Sequence, residues 1–145
     1  MTLKAAVLAV DHGTKKTGFA STDALRTAEW PLDCWRGPGD GEELLDHISE
    51  LLLERSAKTL LVGLPLNMDG TESGRSRDVR GFIERARTRL PGVEVIPFDE
   101  RLTTRAAEEL LHEAGFHGEE RKVRLDSWSA LVLLRDWLET GEPCE

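Results

Sequence analysis

The sequence has no apolar stretch long enough to cross a membrane. Its longest, Ala5 to Val10 and Trp128 to Leu134 with Ser129 inside, fall far short of the roughly 20 residues a spanning helix needs. The opening Met1-Thr2-Leu3-Lys4 runs straight into the first of these and on to Asp11, with no small-residue cleavage site of the kind a secretory signal carries. Cysteine is scarce. Cys34 and Cys144 have neither the number nor the spacing of a disulfide framework or a zinc ribbon. These absences predict a cytoplasmic protein with no membrane partner. A basic excess is missing too: 19 Lys and Arg against 27 Asp and Glu give a net charge of −8, which argues against nucleic-acid binding by bulk charge. The histidines His12, His47, His112 and His117 show no metal-ligand spacing, and no G-x-S-x-G nucleophile pattern occurs. There is no internal repeat and no low-complexity run.

What is present suits a packed α/β chain. With 145 residues, 39% hydrophobic and 32% charged, the length predicts one domain over residues 1–140 with a short C-terminal tail at 141–145. Ala5 to Val10 reads as a strand buried on both faces. Gly18 to Ser21 and a weaker segment from Thr27 to Trp35, interrupted by Pro31, continue it as a meander. From Glu42 to Arg55, Leu44, Leu45, Ile48, Leu51 and Leu52 recur at helical spacing with acids opposite. Thr59 to Gly63 is then a buried strand, Arg75 to Leu90 a helix, and Val93 to Phe98 a strand set off by Pro91-Gly92. A helix from Thr103 to Ala114, a polar loop from Gly118 to Arg124 and a last helix starting near Asp126 complete the chain. The order β-β-β-α-β-α-β-α-α predicts a central mixed five-stranded sheet with helices on both faces.

In such sheets ligands bind beyond the carboxyl ends of the parallel strands. The first strand ends in Asp11, and the last in the adjacent acids Asp99 and Glu100. Their side chains point to opposite sides if the chain stays extended, and Glu100 is the one expected to join Asp11. Asp126 opens the final helix, where an N-cap role competes with a role in a site. In the same way Thr103 or Thr104 reads most simply as an N-cap. Asn67, Thr71 and Ser73 gather hydrogen-bonding groups after the fourth strand, suited to phosphate or sugar contacts. Between Thr71 and Arg105 eight arginines face six acids, a local inversion of the overall charge where a polyanion would be met.

Taken together, Asp11, Glu100 and Asp126 form an all-oxygen set with no neutralising His or Cys, which suits Mg²⁺ or Mn²⁺ better than zinc. Two such ions about 3.5–4 Å apart can activate a water and stabilise the leaving oxygen of a phosphodiester. Strands one and five would stand about 10 Å apart with the fourth between them, a gap that Glu spans better than Asp.

Three blocks carry a resemblance over nearly the whole chain: Asp11-His12-Gly13-Thr14-Lys15-Lys16-Thr17-Gly18, Val62-Gly63-Leu64-Pro65-Leu66-Asn67-Met68-Asp69-Gly70-Thr71-Glu72, and Asp99-Glu100-Arg101-Leu102-Thr103-Thr104, with Asp126 beyond them. The sequence resembles the YqgF or RuvX family of Holliday-junction-resolvase-like nucleases, also described as nucleases of precursor small-subunit ribosomal RNA. The resemblance implies an RNase H-like fold and a divalent-metal-dependent nuclease acting on RNA or branched DNA. It also implies catalytic and metal-holding roles for Asp11, Glu100 and Asp126, with Asp99 as a supporting or alternative ligand. Lys15, Lys16, Arg101 and Arg105 would position phosphates and Asn67 would line the groove. Lys16 stands where Arg is usual, and Trp128 where small residues are common. A homodimer is left open, since symmetric junction cutting needs two sites and RNA trimming one. Two rival readings are an ATP-binding kinase-like half domain and a non-catalytic RNA-binding ribosome-assembly module.

Overall fold

Alternation along the strands divides the apolar residues between two cores. The computed structural model describes residues 5–144, so the opening Met1-Thr2-Leu3-Lys4 lies outside the described residues. In β1 (Ala6–Asp11), Ala6, Leu8 and Val10 face one core while Val7 and Ala9 face the other, as a period of two requires. The first core is closed by α1 (Glu42–Arg55) and α2 (Gly74–Arg89) through Leu44, Leu45, Ile48, Val79, Phe82 and Ile83. The second is closed by α4 (Gly118–Glu139) through Ala130, Leu131, Leu133, Leu134 and Trp137, with α3 (Thr103–Glu113) packed on α4. A sheet covered on both faces needs strands apolar on both sides, which is why β1 reads as a continuous apolar run.

The sheet order is β3-β2-β1-β4-β5, with β2 (Lys16–Thr22), β3 (Glu29–Arg36), β4 (Ala57–Leu64) and β5 (Glu94–Asp99). The meander β1-β2-β3 is antiparallel, while β4 joins β1 and β5 joins β4 in parallel. Pro31 is tolerated because β3 is the sheet edge.

Three sequence expectations are corrected. Residues 118–124, expected as a loop, are the first two turns of α4. Glu119 and Glu120 complement the positive end of the helix dipole, and these turns are almost wholly exposed, so they show no apolar periodicity. Asp126 is therefore an interior residue of α4, whose N-cap is His117. Neither Thr103 nor Thr104 caps α3: the cap position is Leu102 at φ 70°, and the Thr103 hydroxyl donates instead to the Glu100 carbonyl at 2.9 Å. The tail folds back, with the Pro143 carbonyl accepting from the Trp137 indole at 2.9 Å and Glu142 paired with Arg26.

Candidate active site

Asp11 ends β1 opposite Gly18 of β2. Gly18 has no side chain where α4 crosses the sheet: a Cβ there would lie 2.1 Å from the carbonyl carbon of Asp126 and 2.4 Å from the Ser127 nitrogen. The Phe19 amide donates to the Ser127 hydroxyl at 3.0 Å, fixing α4 to β2 at the same height. Asp126 is thereby held near enough to Asp11 for its charge to act on that carboxyl.

Glu100 comes from the other side of the site. Its amide donates to the Leu64 carbonyl at 3.1 Å, continuing the ladder one step past β5. Its side chain turns back across β4 over Gly63, where a Cβ would come within 2.3 Å of Oε2. The carboxyl group hydrogen-bonds that of Asp11. Two carboxylates can share such a bond only with a proton between them. Burial, followed by the charges of Glu100 and Asp126, raises Asp11 well above the usual carboxylate range, and burial raises Glu100 to about 7. The positive charge of Arg75 opposes both shifts.

Asp126 Oδ2 is buried without a hydrogen-bond donor. Its charge partner is Lys16, whose Nζ stands 3.3 Å away. Among the described residues no three His, Cys, Asp or Glu side chains form a ready-made group able to hold a metal ion. Asp11 and Glu100 are engaged with each other and Asp126 with Lys16. The donor set nevertheless fits a hard divalent cation, because all three groups supply oxygen.

The other expected site residues fall into two groups. Asp99 accepts from the Arg101 backbone amide at 2.9 Å and from its Nε at 2.7 Å, while Arg101 Nη1 donates to the Met68 carbonyl at 2.8 Å. Asn67 Nδ2 donates to the Thr71 hydroxyl at 3.0 Å and the Glu72 carbonyl at 3.2 Å. Ser73 caps α2 and donates to the Pro65 carbonyl at 2.6 Å. These residues shape the rim loop, with Asn67 bonded there through Nδ2 while its side chain stays exposed. Lys15 and Arg105 are exposed. Lys15 has no side-chain partner among the described residues, and Arg105 is 3.8 Å from Glu109.

His12 is buried against Phe82, the ring centroids 4.5 Å apart. The Gly39 carbonyl lies 2.8 Å from its Nε2, which fixes that nitrogen as the donor and leaves Nδ1 to accept from Arg75 Nη2 at 3.3 Å. Burial lowers its pKa. Sequence reasoning missed Arg75, which donates to the His12 carbonyl at 2.8 Å while its charge reaches the Asp11–Glu100 pair. Its signal was position, in the first turn of the helix that leaves the β4 rim.

A family model described as RuvX, Holliday junction resolvase, matches residues 5–140. The chain belongs to the RuvX family. Among its curated RuvX relatives, one from Anaeromyxobacter sp. is 43% identical over 133 residues, covering 91% of this chain and 95% of the relative. Another, from Acetivibrio thermocellus, is 37% identical over 134 residues, covering 92% and 95%. Both carry the name "Putative pre-16S rRNA nuclease". Among solved structures, T. thermophilus RuvC in complex with Holliday junction substrate matches with a TM-score of 0.59 at 14% identity, covering 97% of this chain and 98% of that one. The likeness to RuvC shows an RNase H-like fold for this RuvX chain.

Proposed function

We propose that this chain is a divalent-metal-dependent nuclease that hydrolyses phosphodiester bonds of structured nucleic acid in the cytoplasm. The observation that carries the reading is the convergence of Asp11, Glu100 and Asp126, from three separate elements, on the carboxyl rim of the parallel strands. Asp11, Glu100 and Asp126 would hold Mg²⁺ or Mn²⁺, with two ions as the expected number. An ion held there supplies Lewis acidity toward the phosphodiester and a nucleophile from water near neutral pH. Ionisation of the Asp11–Glu100 pair prepares the site, because the shared proton must leave before both carboxylates act as ligands. Arg75 favours the ionised pair and faces the phosphate. Lys15, Lys16 and Arg105 meet the neighbouring backbone. Asp99, Arg101 and Asn67 contribute by holding the 65–73 loop in shape.

The relatives' names favour precursor small-subunit ribosomal RNA as substrate, and the family description favours branched DNA. Cleavage of an end-labelled pre-16S 5′ leader, single-stranded DNA and a four-way junction with Mg²⁺ or Mn²⁺ tests the reading and ranks the substrates. Asp11→Asn, Glu100→Gln and Asp126→Asn should each abolish cleavage while leaving the fold intact. Binding without metal-dependent cleavage on any of the three would instead favour a non-catalytic assembly module.

A further inference from the structure

We infer that the substrate strand leaves the carboxylate site through a second, arginine-lined cleft along α2, which binds its sugar-phosphate backbone. The inference rests on the nuclease reading above and adds where the chain of phosphates runs. Behind His12 lies a cleft of about 450 Å³ whose walls include Thr14, Gly39, Arg75, Arg77, Gly81 and Arg85, a volume within the range of small-ligand sites. Arg75 is common to both places. It lines the cleft and donates to the carbonyl of His12, the residue after Asp11, at 2.8 Å, so the cleft adjoins the carboxylate rim.

The helix builds the cleft from its sequence. Arg77, Gly81 and Arg85 are spaced by four, so they share one face of α2, opposite the buried Val79, Phe82, Ile83 and Ala86. Eight residues at 1.5 Å per residue set the two arginines about 12 Å apart along the axis. Gly81 leaves the space between them open, since a Cβ there would meet nothing within 4 Å. Neither Arg77 nor Arg85 has a side-chain hydrogen bond or ion pair among the described residues, although the Arg77 charge reaches Glu72. By contrast Arg80, Arg87 and Arg89 on the same helix are paired with Glu72, Glu84 and Glu42. Two acids also line the cleft: Asp78 is 3.6 Å from Arg75, and Asp40 is exposed. In a chain of net charge −8, two exposed arginines without such partners beside an open groove point to a polyanion rather than to self-association.

Salt dependence of binding tests this. Fluorescein-labelled 12-nucleotide single strands of RNA, and of DNA in a parallel arm, are titrated with the whole protein in EDTA, so that binding is read without cleavage. For single strands each neutralised phosphate contributes about 0.7 to the slope of log K against log salt. Arg77→Ala/Arg85→Ala should therefore lower the slope by about 1.4 and weaken binding at least tenfold at low salt. Gly81→Glu, which puts a carboxylate between the arginines without a clash, should weaken binding comparably. Gly81→Ala should bind as wild type, as should Lys58→Ala, which removes a positive charge from the opposite end of β4. Equal losses in both arms identify the shared phosphate backbone, and a loss only with RNA assigns the cleft to RNA. An unchanged slope in the double variant, a slope change per charge as large in Lys58→Ala, or no binding by wild type would overturn the inference. Arginine-dependent binding without cleavage under Mg²⁺ or Mn²⁺ would leave the cleft standing and remove the nuclease reading instead.

Discussion

The Glu100 carboxylate lies directly over Gly63, at the spot where any other residue would carry its Cβ. β4 separates β1 from β5, so a carboxylate from β5 can meet one from β1 only by passing over β4, and a missing side chain provides the passage. Gly63→Ala should displace Glu100 by an ångström or more, which at a catalytic group costs on the order of 100-fold in rate. The group displaced is the end of a flexible side chain, so unfolding free energy should fall by only about 1 kcal/mol. Cleavage kinetics beside urea unfolding would separate the two effects. A variant with unchanged rate would mean that Glu100 does not act from this position.

Gly18 makes a similar approach possible, but against backbone. A methyl group there meets the Asp126 carbonyl and the Ser127 nitrogen, neither of which can rotate aside. Gly18→Ala should lower stability by about 2–3 kcal/mol, and more in this assay than Gly63→Ala. Equal and small losses in the two variants would show that α4 slides freely over β2.

Burial of Glu100 makes the metal-free protein sensitive to pH. Glu100 is raised to about 7 when folded, from an ordinary value of 4.5, so between these values the folded state binds more protons than the unfolded state. Stability from this group is complete below about pH 4.5 and is lost as pH rises toward about 7. Without metal, wild type should lose stability across that window relative to Glu100→Gln, by a few kcal/mol at most at about 1.4 kcal/mol per unit. Chemical unfolding in EDTA at a series of pH values measures the difference. Parallel curves would show that burial does not raise Glu100.

Lys16 occupies the charge of Asp126 that a divalent ion would use. Lys16→Met should therefore tighten Mn²⁺ binding, by about tenfold for a competing interaction worth about 1.4 kcal/mol, as read by titration calorimetry without nucleic acid. Weaker Mn²⁺ binding in the variant would show that Lys16 supports the ion site rather than competing with it.

Arg101 ties Asp99 to the Met68 carbonyl. Arg101→Ala should speed hydrogen exchange of the Gly70 and Thr71 amides, which close the loop on Asn67 and Asp69, and leave exchange in β1 unchanged. If exchange in the loop is unaffected, Asn67 alone holds its shape and Arg101 is free to meet phosphate.

Much of the architecture was legible because it depends on local pattern. The apolar run of β1, the helical spacing in α1 and the Pro91-Gly92 break each have one reading. The first turns of α4 did not, since an exposed helical turn of Glu, Arg and Lys looks like a polar loop. Asp126, expected at a helix start, lies inside α4, and its charge acts on Asp11 as its grouping with the other rim acids suggests. Asn67 and Ser73 looked available because sequence shows a hydrogen-bonding group but not whether its partner is the next turn of the same loop.

The sequence by itself determined the family, the order of elements and the acids at the rim, because motif and periodicity are properties of neighbouring residues. Tertiary structure alone decided which groups share an environment. Gly18 and Gly63 are ordinary glycines until α4 and Glu100 are laid over them. Asp11 becomes a proton-holding acid through its burial, and then through the charges of Glu100 and Asp126 brought from separate elements. Arg75 joins the site only through the fold. Burial and charge act through space, and the distances that set them come from packing.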